Sequence, residues 1–211
     1  RFFPPGTRPD VFEGRTYVGL VPFRMVDTGL PHGPAVPYLG SFLETNIRLY
    51  SIDEAGRRGV VFRSLDANRL AVVATARTVF GLPYRWARMS HERNGNHHTY
   101  TSTLRRPGPR VEAAVGVEMG ERLVAGPLED FLTARWGLHV HRAGRTWYLP
   151  NEHPLWILHT AKVTNLEADA LFTSVGLAPP KRAPDHVAFS PGVSAAFGLP
   201  LSPSAQRSPA R

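Results

Sequence analysis

The sequence predicts an α+β fold in which an antiparallel sheet dominates and a few helices flank it. Three observations carry this. Segments of period-two alternation recur along most of the chain, each bounded by Gly, Pro, Asn or Asp. Segments with helical spacing are few and short, and they run into glycine. No internal repeat of useful period relates one part of the chain to another. At 211 residues the chain suits one domain with a core of its own. The reading assigns residues 1–201 to a single domain and 202–211, "SPSAQRSPAR", to a disordered basic tail. Because the sequence starts at Arg1 without an initiator Met, it also expects a native N-terminal segment to be missing.

The elements follow in order. "FFPPGTRPDVFEGR" is an extended entry rich in Pro and Gly. "RTYVGLVPFRM" (15–25) is a strand that Pro22 confines to an edge or bulge. "VDTGLPHGPAVPYLG" is a long loop able to border a cavity. "SFLETNIRLYSI" (41–52) alternates cleanly, "DEAGRR" turns, and "GVVFRSL" (59–65) returns. "DANRLAVVATARTVFG" predicts a helix with Asp66 as N-cap, Leu70, Val73, Arg77 and Phe80 at helical spacing, and Gly81 as the stop. Strands are expected at 84–91, 97–104 and 110–118, joined by "ERNGN" and "RRPGP". "GPLEDFLTARWG" predicts a second helix with Pro127 at its start, Glu129 and Asp130 in its first turn and Gly137 at its stop. "LHVHR" and "TWYLP" form a hairpin around "AGR". Late strands follow at 155–163 and 186–197, with a short helix near "EADALFTSVG" between them.

Composition excludes several function classes. Without cysteine there are no disulfides and no thiolate metal sites, a pattern that fits a reducing cytoplasm. No apolar run approaches the ~18 residues of a spanning helix, so a soluble, cytoplasmic protein with no membrane partner is expected. The net charge of +8 raises nucleic-acid binding as a reading. Its distribution argues against that: basic residues are interleaved with acids, lysine occurs only at Lys162 and Lys181, and no recognition motif is present.

Period two along "FLETNIRLY" puts Phe42, Glu44, Asn46, Arg48 and Tyr50 on one face and Leu43, Thr45, Ile47 and Leu49 on the other. A row that is polar in its middle and aromatic at its ends suits a partly dry cavity, with Arg48 as a fork for a carboxylate. A solvated face with Glu44 and Arg48 as a weak surface pair fits the pattern equally. In "YRWARM", Tyr84, Trp86 and Arg88 separate from Arg85, Ala87 and Met89. The first set could supply a donor, a stacking wall and an anion clamp, or be one side of an ordinary amphipathic strand. His139 and His141, two apart, and His97 with His98 offer nitrogens, but no third ligand stands at a recognisable spacing, so no metal and no cofactor is expected. The serines lack a G-x-S-x-G setting, and no glycine loop could cradle a phosphate.

"VFEGRTYVGLVPFRM", the block from "GPAVPYLGSFLETNIRLY" through "GLPYRWARM", and "EHPLWILHTAKV" together resemble the YqjF-like family of uncharacterised bacterial proteins, across nearly all of residues 10–197. That family is more distantly similar to acetoacetate decarboxylase. The resemblance implies a cone-like closed antiparallel sheet around a central cavity and leaves homo-oligomers open. The decarboxylase motif runs Gly-aromatic-Pro-Lys-Lys after a helix, its first lysine forming a Schiff base and its second lowering the pKa of the first. "GLPYR" (81–85) is similar, with Tyr84 where the nucleophilic lysine would stand, Arg85 where its neighbour would, and Glu44 as the cavity carboxylate. A phenol and a guanidinium cannot form an imine. The expectation is therefore a pocket for a small carboxylate or carbonyl ligand, without lysine-dependent decarboxylation. In it Glu44 and Tyr84 would move protons, with Asn46, Arg48, Arg85, Trp86 and Arg88 as ligand-binding candidates. A non-catalytic ligand-binding or interaction module on the same cavity is the alternative.

Overall fold

A computed structural model describes residues 2–25 and 41–192, and the backbone of 196–197. The 26–40 loop, part of the last predicted strand and the basic tail lie outside the described residues. Among the described residues twelve strands form one sheet: β1 (Thr7–Pro9), β2 (Val18–Met25), β3 (Phe42–Asp53), β4 (Arg58–Ala67), β5 (Tyr84–Asn94), β6 (His97–Leu104), β7 (Glu112–Leu123), β8 (Gly137–Arg142), β9 (Arg145–Glu152), β10 (Leu158–Glu167), β11 (Ala188–Phe189) and β12 (Ala196–Phe197). Three short helices accompany it among the described residues: α1 (Leu70–Thr75), which continues as one π-helical turn over Ala76–Phe80, α2 (Pro127–Thr133) and α3 (Asp169–Ser174). None of the described helices is long and apolar enough to cross a membrane.

The sheet runs β11-β10-β7-β6-β5-β4-β8-β9-β12 and curls into a half-barrel. β4 is its branch point. One edge of β4 carries β3 along nearly its whole length, while the other is shared by β5 at Leu65–Ala67 and β8 at Val60. Both of these short seams are parallel, and the rest of the pairing is antiparallel. A parallel neighbour needs a crossover, which α1 supplies between β4 and β5. β1 and β2 both lie along β3, β2 as an edge strand.

Because β3 sits between β2 and β4 with cores on either side, its two faces are both buried from Phe42 to Ser51. Ile47, fully buried, packs with Ala87, Leu104, Val111, Ala113, Leu171 and Phe172. On the other side Phe42 and Tyr50 join Leu65, Leu82, Phe131 and Leu138. The solvated-face reading of the Glu44 row therefore fails.

Two predicted helix boundaries need correction. Asp66 is not a helix cap: it lies near the end of β4, and its carboxylate accepts two hydrogen bonds from Arg85 (2.6 and 3.1 Å). The guanidinium outcompetes the helix N-terminus for that side chain, and the helix starts later, at Leu70. Gly81 does end the segment, in the left-handed conformation (φ 68°) that glycine adopts without strain. Gly137 is not a stop. α2 ends at Thr133, and Gly137 opens β8 beneath the Tyr148 ring, where a Cβ would lie 2.1 Å from Cζ.

Candidate functional site

Strand register builds the site. Across β2, β3, β4 and β5 the pairs Phe23–Glu44, Asn46–Leu65 and Leu65–Tyr84 stand side by side, so the polar row of β3 meets the first residue of β5. These residues line a cavity of about 1290 Å³ that wraps the edge strand β2. Glu44, Asn46, Arg48 and Tyr50 share it with Tyr84, Leu65, Leu82 and Phe62.

The Tyr84 hydroxyl donates to Glu44 Oε2 at 2.8 Å, and Asn46 Nδ2 donates to Oε1 at 3.2 Å. Glu44 is 2 % exposed. Burial pushes its carboxyl up to about 7, the negative charge of Asp66 adds to the rise, and the hydrogen bonds from Tyr84 and Asn46 oppose it. Burial, then the neighbouring Glu44 charge, lifts Tyr84 well above the ordinary tyrosine range, so its phenol stays neutral. Asn46 Oδ1 has no hydrogen-bond partner. An amide turned over at that position would offer Oδ1 to a protonated Glu44, so the arrangement can serve both protonation states.

Arg48 does not pair with Glu44. Its side chain lies across Gly19, where a Cβ would meet Cγ at 3.1 Å, and runs toward Tyr50. There Nε donates to the Tyr50 hydroxyl (3.3 Å) and Nη2 to the Leu132 carbonyl (3.1 Å) at the end of α2.

Arg85, Trp86 and Arg88 are absent from the described cavity wall. Arg85 points to the opposite face, held by Asp66 and by Ser174 Oγ (2.8 Å). Trp86 packs beneath the Arg105 guanidinium, 4.8 Å from the ring centroid, and Arg88 is exposed. The reason is that β5 pairs with β4 only as far as Trp86 before continuing beside β6. Of "YRWARM", only Tyr84 enters this cavity.

Sequence reasoning named His98 and His139 but missed their partners, and it missed His91, Tyr100 and Ser51 altogether. His91 Nε2 and His98 Nδ1 approach to 3.0 Å across β5 and β6, with His91 stacked on Tyr100, and all three line the cavity on the far side of β2. Ser51, His139 and Asp53 form a chain, Ser51 Oγ 2.8 Å from His139 Nδ1 and His139 Nε2 3.5 Å from Asp53. It has the composition of a hydrolytic triad, but Ser51 is fully buried and no substrate carbonyl could reach it. His141 is exposed and His97 faces Glu118, so the paired histidines of the sequence do not converge. Among the described residues no three potential ligands gather around one point. Lys162 is exposed on β10 outside the cavity wall, and Lys181 is exposed at its rim.

Sequence comparison gives the family: the chain belongs to DUF2071, described as an uncharacterized conserved protein, whose model matches residues 1–194. Among curated proteins it is similar to the uncharacterized protein YqjF of Bacillus subtilis (strain 168), 30% identical over 160 residues. That match covers 72% of this chain and 64% of the relative, so the chain spans less than two thirds of that protein's length. Its fold is similar to the crystal structure of acetoacetate decarboxylase from Legionella pneumophila, with a TM-score of 0.51 and 17% identity, over 92% of this chain and 72% of that one. The identity is low, and the likeness shows the fold alone.

Proposed function

We propose that the cavity binds a small carboxylate or carbonyl compound and that Glu44 and Tyr84 move protons on it, as in an enolisation, dehydration or aldol-type step. One observation carries this reading: a nearly inaccessible carboxylate pushed up to about 7 is hydrogen-bonded at 2.8 Å to a neutral phenol on a cavity wall. Near neutral pH such a carboxyl is present in both forms, the condition for efficient proton transfer. Ionised Glu44 would take a proton from carbon next to a carbonyl, while the Tyr84 hydroxyl turns from Glu44 to donate to the carbonyl oxygen. Neither group can form an imine. Arg85, the other residue of the lysine-like pair, is committed to Asp66.

Solvent-deuterium exchange at the carbon next to the carbonyl of small oxo acids, followed by NMR, tests the proposal. Wild-type protein should catalyse exchange, and Glu44→Gln and Tyr84→Phe should each reduce it by about 10²-fold or more. Exchange that is absent, or equal in Glu44→Gln, overturns it. Borohydride treatment with the same compounds should leave no covalent adduct, and an imine at Lys162 would contradict the mechanism.

A further inference from the structure

Beyond Glu44, at the α2 end of the cavity, hydrogen-bond donors outnumber acceptors. Arg48 and Arg135 flank the Tyr50 ring, their guanidinium carbons 5.5 and 5.1 Å from its centroid, and the Trp156 ring lies 5.6 Å from Arg48 on another side. Arg48, Tyr50, Arg135, Asn151 and Trp156 all line the cavity. Part of each arginine's capacity is used within the fold. Arg135 donates Nε to the Phe131 carbonyl (2.6 Å) and Nη1 to Asp10 (2.5 Å). Asp10 also takes Arg58 at 2.7 Å, so one carboxylate serves two guanidiniums. No described carboxylate pairs with Arg48.

What is left over points to a ligand. Arg135 is 4 % exposed, yet its Nη2 has no acceptor. The Trp156 indole N–H has none either, and Asn151 Oδ1 is likewise unmatched, an amide that can turn to present N–H instead. Buried donors without partners are costly, and the Arg48 guanidinium, which no described carboxylate meets, adds to that cost. These atoms lie just behind the cavity surface, so an oxyanion held by Arg48 would meet them after a side-chain shift and answer both deficits, since a planar carboxylate can accept from several N–H groups at once.

We propose that Arg48, Arg135 and Trp156 form a receptor for a carboxylate at the far end of the ligand whose carbonyl meets Glu44 and Tyr84. This rests on the reading of the preceding section and adds the substrate's length. Positions 44 and 48 are four residues apart on one strand, which puts their Cα atoms ~13 Å apart, and the Arg48 side chain turns toward Tyr50 rather than back toward Glu44. Allowing ~3 Å for a hydrogen bond at each end leaves at least about 7 Å between the ligand's two polar groups, since the Arg48 head lies farther from Glu44 than its Cα does. Acetoacetate, with one carbon between its carbonyl and its carboxylate, is too short to touch both. The class that fits is a longer oxo-carboxylate, and its apolar middle would lie against Leu65, Phe62 and Leu138.

The test is a calorimetric binding series of straight-chain methyl-ketone carboxylates, from acetoacetate through levulinate to homologues four carbons longer, with matched ketones lacking the carboxylate. Affinity should rise with length to an optimum at least tenfold tighter than acetoacetate. Arg48→Met should abolish that optimum and Arg48→Lys should restore part of it, circular dichroism confirming that both fold. Acetoacetate bound as tightly as the longer acids, or ketones bound as tightly as their carboxylates, would overturn the receptor. The wild-type series decides this even if a variant fails to fold. Length-independent binding accompanied by Glu44-dependent deuterium exchange removes the receptor and leaves the proton chemistry standing, whereas neither binding nor exchange removes both.

Discussion

Replacing Glu44 by Gln should change how stability depends on pH, by an amount that follows from the site. The folded carboxyl titrates at about 7, against 4.5 for a free glutamate, so the native state holds this proton more tightly than the unfolded chain. A raised carboxyl pKa contributes no penalty below pH 4.5 and a growing one as pH climbs through 7. At 1.36 kcal/mol per unit the full penalty is about 3 kcal/mol. Gln carries none of it and keeps the contacts: its amide oxygen accepts from Tyr84, and Asn46, turned over, meets its N–H with the unpartnered Oδ1. Urea unfolding of both proteins at pH 4.5, 6 and 8 should therefore show the difference moving toward the variant by about 3 kcal/mol across the range. His91, His98 and His139 are all held below the ordinary histidine range, chiefly by burial, so each makes the protein more stable as pH rises through the acid side of 6.5. That opposing slope is common to both proteins and cancels in the difference. A difference that stays constant with pH would mean that Glu44 remains ionised and solvated, which would refute the argument.

Two further outcomes follow from neighbouring contacts. Asp66→Asn leaves Arg85 without its charged partner and should destabilise the fold by about 3–5 kcal/mol in urea. The same change removes a negative charge that Glu44 feels, so carboxyl-resolved NMR should find Glu44 titrating below about 7; an unmoved titration would show that Asp66 has no part in it. Gly137→Ala places a Cβ 2.1 Å from Tyr148 Cζ, whose hydroxyl reaches the Arg58 and Trp136 carbonyls, so thermal unfolding should reveal a loss of about 1–3 kcal/mol that Tyr148→Ala partly relieves.

Much of the fold was legible because the sheet is mainly local. The meander β5-β6-β7 is joined by short turns, and the bounds expected for β6 at 97–104 match the structure. Period two along β3 placed Glu44, Asn46, Arg48 and Tyr50 on one face, and they share one cavity wall. What pattern could not tell is what lies opposite that face, since burial of both sides depends on β2 and on the distant helix α2. The two parallel seams at β4 are non-local and leave no periodic trace. They also decide that Tyr84 enters the cavity while Trp86 and Arg88 do not. Arg135 and Trp156 escaped notice because each lies in irregular chain beside a regular element, where no spacing marks a residue for a cavity.

The polar middle of β3 argues for a site more than any single residue does. An edge-flanked strand buried on both faces would be most stable with apolar side chains throughout, yet β3 keeps Glu44, Asn46 and Arg48 in its middle. Around them stand an ionisable carboxyl raised by burial, the unmatched Asn46 and Asn151 oxygens and the unmatched Arg135 and Trp156 donors. Each unsatisfied buried polar group costs about 1–3 kcal/mol. The fold settles Asp10 with Arg58 and Arg135 and Asp66 with Arg85, whereas no described carboxylate meets Arg48. Unmatched buried atoms also occur away from this wall, at Arg63, Ser64, Ser102 and His139, so the mark of a site is the row itself: Glu44, Asn46 and Arg48 buried along one cavity wall are what a wall shaped to receive a polar ligand requires. Filling the wall's α2 end with apolar residues, by Arg48→Met together with Asn151→Leu, should then leave stability unchanged or raise it while ending ligand binding; a large loss of stability in urea would assign these residues to the scaffold instead.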